Sequence, residues 1–173
     1  MAEAGKKPLR ASVIIAGVLY IVDALVLNQG FFALILVAVA ILYFVPATLW
    51  VIRTDRSLAR LRVSKIGIYL LAAFSILITN NLQNRMADRR AVKLGDACLA
   101  YRAKYHHYPK RLKELVPEFM SSVPVAKYSL VGNEIFFYFS RDDDREPMLY
   151  YEAVPPFGRR FYHMESRSWG YLD

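Results

Sequence analysis

From Phe31 to Ile52 the chain runs through 22 residues without one charged side chain. As a helix rising about 1.5 Å per residue, such a run covers the ~30 Å hydrocarbon core of a bilayer. Two shorter apolar runs flank it, one over residues 12–27 and one starting near Ile66 and carried on to about 82. A soluble domain sets polar residues between its apolar ones at helix or strand periodicity, and this half of the chain does not. The expected class is therefore an α+β membrane protein, with three transmembrane helices in residues 1–79 and a folded domain in 80–173.

Local detail follows from the same stretch. Only Asn28-Gln29-Gly30 separates the first two runs, which predicts a tight helical hairpin. Pro46 lacks a backbone donor and predicts a bend in the second helix. The first run carries Asp23 and has no small-x-small site before Gln29, so it reads as a span and not as a cleaved signal peptide. Asp23 is the only ionisable residue inside a span. It either reaches the headgroup region from near the span's end or meets a partner's membrane helix.

The net charge of +8 is unevenly placed. The N-terminus and the 53–65 segment lie on one side of the three spans and hold eight Lys and Arg, from Lys6 to Lys65. The other side has none at Asn28–Gly30 and has Arg85, Arg89, Arg90 and Lys93 in residues 80–97. The balance predicts a cytoplasmic N-terminus and a C-terminal domain on the far side. Basic residues beside spans act as topology determinants, so no nucleic-acid partner is expected.

Beyond Thr79 a helical stripe appears. Ala87, Ala91, Leu94, Cys98, Tyr101 and Tyr105 recur at spacings of three and four, which predicts one helix from Lys65 to His107. Gly95 weakens it by about 1 kcal/mol relative to alanine. Tyr108-Pro109 ends it, and Leu112, Leu115, Val116 and Phe119 mark a second short helix. The remainder predicts strands at Lys127–Val131, Glu134–Phe139, Met148–Val154 and Phe161–Glu165. The first two flank the hairpin signal Gly132-Asn133, and a turn lies at Pro155–Gly158. The tail residues Trp169 and Tyr171 are expected to fold back on the domain. The whole is a long helix packed on a four-stranded antiparallel sheet.

Candidate chemistry is sparse. His106 and His107 are adjacent and far from His163, a poor spacing for a metal site. Asp142-Asp143-Asp144 fits a solvated turn better than a calcium loop. Cys98, the single cysteine, sits on the apolar stripe and reads as a buried thiol. No nucleophile–base pair or nucleotide loop stands out, so neither catalysis nor a cofactor is expected. The sheet is rich in aromatics, and consecutive ones point to opposite faces. One set, represented by Phe136, Tyr138, Tyr150 and Tyr162, is assigned to a face turned away from the helix, which is either open to a protein partner or covered by tail residues 166–173 or the bilayer surface. Asp23 completes the candidate contact residues.

The order of elements is similar to a known family. A membrane helix running into a soluble helix, then Tyr-Pro, a Leu-x-x-Leu-Val segment and a small antiparallel sheet, resembles the type IV pilins and type II secretion pseudopilins. The stretch Tyr101–Pro124, YRAKYHHYPKRLKELVPEFMSSVP, carries the resemblance. Pilins have a leader, a glycine cleavage site and a glutamate five residues later. Here Gly30 is followed at that place by Ile35, and a full span lies upstream. The resemblance thus implies a pilin-like periplasmic domain permanently held in a bacterial inner membrane. It further implies a non-catalytic accessory protein of type IV pilus systems that binds and supports a pilin or pseudopilin. The alternative expectation is a membrane-tethered sensing or ligand-binding domain.

Overall fold

In the computed structural model, residues 6–28, 30–131, 134–140, 145–154 and 158–172 are described. The Gly132-Asn133 turn, the Asp142–Asp144 loop, most of the Pro155–Gly158 turn, and Gln29 lie outside them. The chain divides into two compact units, Met1–Asn80 and Asn81–Asp173.

The first unit is helical. Helix α1 spans Lys6–Tyr20 and passes into a π-helical turn, Ile21–Leu27. Helix α2, Phe31–Val39, continues through a second π-turn, Ala40–Phe44, into α3, Val45–Val51. Where Pro46 predicts a bend, the helix carries this π-turn. Proline sits in the first turn of α3, where its missing donor costs little, and the Val45 N–H reaches back five residues to the Ala40 carbonyl. Helix α4, Arg56–Tyr105, supplies its first part to this unit. Three stretches, Leu9–Leu27, Phe31–Val51 and a window of α4, are long and apolar enough to cross a membrane. Their packing seam is made of small residues, with Ala16, Ala24, Ala33 and Ala73 around Leu36, Tyr69 and Ile76. Alanines let helix backbones approach where lipid offers no hydrophobic drive. A Tyr20–Thr79 hydroxyl pair at 3.1 Å ties α1 to α4.

Helix α4 begins nine residues earlier than the sequence reading placed it. Asp55 Oδ1 accepts the Ser57 and Leu58 N–H groups, each at 2.9 Å, and this N-cap starts the helix inside the basic segment. It ends at Tyr105, two residues early, because His106 adopts a left-handed conformation, φ 61°.

The second unit sets the rest of α4 against an antiparallel sheet ordered β1-β2-β3-β4. The strands are β1 Phe137–Phe139, β2 Met148–Val154, β3 Gly158–His163 and β4 Ser168–Leu172. The four strands are therefore not the four expected. Lys127–Val131 contributes only a single bridge, Lys127 to Glu134. Beyond it the Tyr128 N–H is drawn to Gln83 Oε1 on α4, which takes that backbone out of the sheet. The tail supplies the fourth strand instead, with Trp169 opposite Tyr162 and Tyr171 opposite Arg160. The expected second helix is one 3-10 turn, Leu112–Leu115, anchored by the buried Leu115.

The predicted stripe is the core contact of α4 from Ala87 to Cys98, whereas Tyr105 at its far end is exposed. Ala87, Ala91, Leu94 and Cys98 are buried against Leu149, Tyr151, Tyr162 and Met164. Gly95 marks the closest approach. A Cβ there would stand 2.8 Å from Tyr162 Cε1 and 3.2 Å from Met164 Cγ. The glycine that weakens the helix admits the sheet.

Candidate partner-binding surface

Strand alternation sorts the aromatics of the sheet onto two faces. The register pairs Phe137 with Tyr150, Tyr138 with Leu149, and Phe139 with Met148. Leu149, Tyr151 and Ala153 are buried under α4, so Met148, Tyr150 and Glu152 point away from it. Phe137 and Phe139 lie on that outer face with them.

The outer face forms an ordered aromatic ladder. The Phe137 and Tyr150 rings stack at 4.9 Å and 13°, and the Phe139 and Tyr150 rings lie 6.0 Å apart at 10°. The Arg159 guanidinium sits 5.7 Å from the Tyr150 ring centre. On β3 the Phe161 ring folds across Gly170 of β4, where a Cβ would meet Phe161 Cζ at 2.2 Å. Cross-strand aromatic pairs each add a few tenths to about 1 kcal/mol to a sheet. Within this chain the ladder still leaves Phe137 38%, Met148 41% and Phe139 58% exposed.

Three of the four sheet aromatics singled out from the sequence lie elsewhere. Phe136 and Tyr162 are in the core beneath α4. Tyr138 is half-buried on the inner side, its hydroxyl donating to the Pro109 carbonyl at 2.6 Å. Only Tyr150 is on the outer face. The register gives Phe136, Tyr138 and Tyr162 the opposite parity to Tyr150, and the aromatics of the outer face are Phe137, Phe139, Tyr150 and Phe161. A signal for this stood in the sequence: Glu152 is two residues from Tyr150 on one strand, so the Tyr150 face is the wet one.

Asp23 is fully buried within the first unit. Its Oδ1 accepts the Gly30 N–H at 2.6 Å, and its Oδ2 accepts those of Phe32 at 2.6 Å and Ala33 at 3.3 Å. These are backbone donors at the start of α2, which have no carbonyl partner within the helix. A carboxylate there also meets the positive end of the helix dipole.

The inner face carries a polar cluster. The Tyr151 hydroxyl donates to Asp88 Oδ1 at 2.6 Å, and Arg160 bridges Asp88 at 3.1 Å while lying 4.6 Å over the Trp169 ring. Burial, then the bond to Asp88, push the Tyr151 hydroxyl well above its ordinary value. Cys98 is buried, and burial pushes its thiol up to about 12. Such a thiol is a packing group, since the reactive form is the thiolate. His107 Nδ1 lies 3.0 Å from the Tyr108 carbonyl, whereas His163 faces Glu146 at 3.5 Å, so the histidines do not converge. Among the described residues no three His, Cys, Asp or Glu side chains come together as metal ligands.

The chain matches no family model, no curated protein and no solved structure.

Proposed function

We propose that the protein is a non-catalytic, membrane-anchored accessory factor. Its domain, residues 81–173, docks a protein partner on the outer face of the sheet. The observation that carries this reading is the aromatic ladder in which the exposed Phe137 and Phe139 stack on the half-buried Tyr150. Contiguous exposed apolar surface marks interaction sites, and aromatic and arginine side chains are the commonest anchors of protein interfaces. Arg159 beside Tyr150 supplies the second kind.

The partner class comes from the resemblance to pilins and pseudopilins carried by Tyr101–Pro124. A pilin waiting in a bacterial inner membrane presents a single apolar helix and a globular head. A three-span protein with a tethered domain can hold both. In this reading the N-terminus is cytoplasmic and the domain periplasmic, as the basic flanks argue.

The test is co-purification of the tagged full-length chain from its own cells, beside a Phe139→Ser/Tyr150→Ser variant. Recovery of a pilin or pseudopilin with the wild type, reduced at least about tenfold by the variant, is the expected result. Loss of pilin on deleting the gene is expected with it. Unchanged pilin level and no co-purifying single-span protein would overturn the assignment.

A further inference from the structure

The start of α4 carries an arginine pair with no partner among the described residues. Arg56 and Arg60 are exposed and four residues apart, so their charges share one face of the helix and repel. Asp55 is the one carboxylate in residues 45–80, and its Oδ1 is spent on the Ser57 and Leu58 N–H groups. Among the described residues neither Arg56 nor Arg60 makes an ion pair or a hydrogen bond. Arg62, by contrast, is committed to the Ala47 carbonyl.

The pair borders a groove of about 620 Å³ lined by Ile52, Arg56, Ala59, Arg60, Val63 and Ser64. One side is cationic and hydroxylic, and the other is aliphatic. From Val63 an open lane runs up α4 across Gly67, beside which there is free space, to the exposed Leu70. Depth is marked independently. Trp50, one residue before the end of α3, is 85% exposed, and tryptophan concentrates at the headgroup level of a bilayer.

We propose that this groove binds one anionic phospholipid, its phosphate between Arg56 and Arg60 and an acyl chain along Val63 and the Gly67 lane. The arginine fork matches phosphate oxygens in pairs, and an anion between the two arginines removes their repulsion. Basic pockets at the ends of membrane helices hold anionic headgroups by the same forces. The site rests on the three apolar helices lying in a bilayer, and is independent of the partner surface on the sheet.

Native mass spectrometry of the full-length chain in detergent tests it, with dioleoyl phosphatidylglycerol, dioleoyl phosphatidylcholine and inorganic phosphate as probes. The expected result is retention of one phosphatidylglycerol, about tenfold over phosphatidylcholine, falling to the phosphatidylcholine level in R56Q/R60Q. R85Q/R89Q, an arginine pair of the same spacing further along α4, should keep wild-type retention. Equal retention of the two lipids, no change in R56Q/R60Q, an equal loss in both double variants, or displacement of the lipid by phosphate alone would each overturn the proposal. Should R56Q/R60Q not be monodisperse, a photoactivatable phosphatidylglycerol on the wild type decides. Label on the peptide spanning residues 52–64 supports the site, and label elsewhere sinks it.

Discussion

Asp23 and Gly30 close the first helical hairpin through a 2.6 Å bond from the Gly30 N–H to Asp23 Oδ1, made in the interior of the first unit. Gly30 takes a left-handed conformation, φ 75°, which lets three residues join two helices, and Asn28 does the same at φ 54°. The other carboxylate oxygen holds Phe32 and Ala33, so one side chain secures both sides of the turn.

Asp23→Asn should therefore lower stability by about 1–3 kcal/mol, although it removes a charge from an apolar region. An amide offers one acceptor where the carboxylate offers two, and turns a donor towards backbone donors. Thermal unfolding of the detergent-solubilised chain, followed by size exclusion, measures it. A stabilised Asp23→Asn chain would show that desolvation of the charge outweighs the cap.

Gly95→Ala sets helix propensity against packing. Propensity alone favours alanine by about 1 kcal/mol. The new methyl would meet the buried Tyr162 ring at 2.8 Å, and the core around that ring leaves little room to yield. Overpacking of this kind costs about 1–3 kcal/mol, so net destabilisation is expected. A higher melting temperature for Gly95→Ala would mean that the sheet shifts freely on α4.

Alkaline pH should unfold the second unit by way of its tyrosines. Burial raises the hydroxyls of Tyr108, Tyr138, Tyr151 and Tyr162 above their ordinary value of 10.0, Tyr108 to about 12. A group raised in the folded state contributes stability that is complete below its unfolded value and is lost as pH climbs through the folded one. Stability should thus fall above pH 10. Lys127 acts in the opposite sense: burial lowers it, so stability rises with pH between its folded value and 10.5. Comparison with Tyr151→Phe cancels that contribution. The variant should be about 1–2 kcal/mol less stable at neutral pH, having lost the bond to Asp88, and should show a shallower alkaline decline. Near-ultraviolet circular dichroism against pH reads both. Parallel declines for the two chains would remove Tyr151 as a contributor.

The long helix was legible where apolar residues recur at helical spacing, as from Ala87 to Cys98, because burial of one face enforces that period. Its first turns were not, since Arg56–Lys65 looks like a charged loop. The start signal was Asp55 itself, an N-cap whose effect needs no apolar partner. The sheet was legible as a class and misread in membership. Ser168–Leu172 is short, and only its Trp169–Tyr171 alternation marks it as a strand. Conversely, Lys127–Val131 has strand composition, but Gln83, distant in sequence, takes its backbone donor at Tyr128. Four consecutive aromatics, Phe136–Phe139, announce two faces without saying which is inside, and that depends on the register with β2. Asp23 stands out in the sequence as a charge in a span. Its actual bonds run to residues seven to ten positions ahead, which only the hairpin brings near.

The measurement that bears most directly on the partner-binding claim is photocrosslinking in living cells, with a photoreactive phenylalanine at Phe139 or Tyr150. Tyr105, exposed on α4 and away from the outer face of the sheet, serves as the control position. The account predicts one dominant protein adduct from Phe139 and Tyr150 and not from Tyr105, identified by mass spectrometry as a pilin or pseudopilin. Adducts to lipid alone, or an identical scatter of abundant proteins from all three positions, would contradict it.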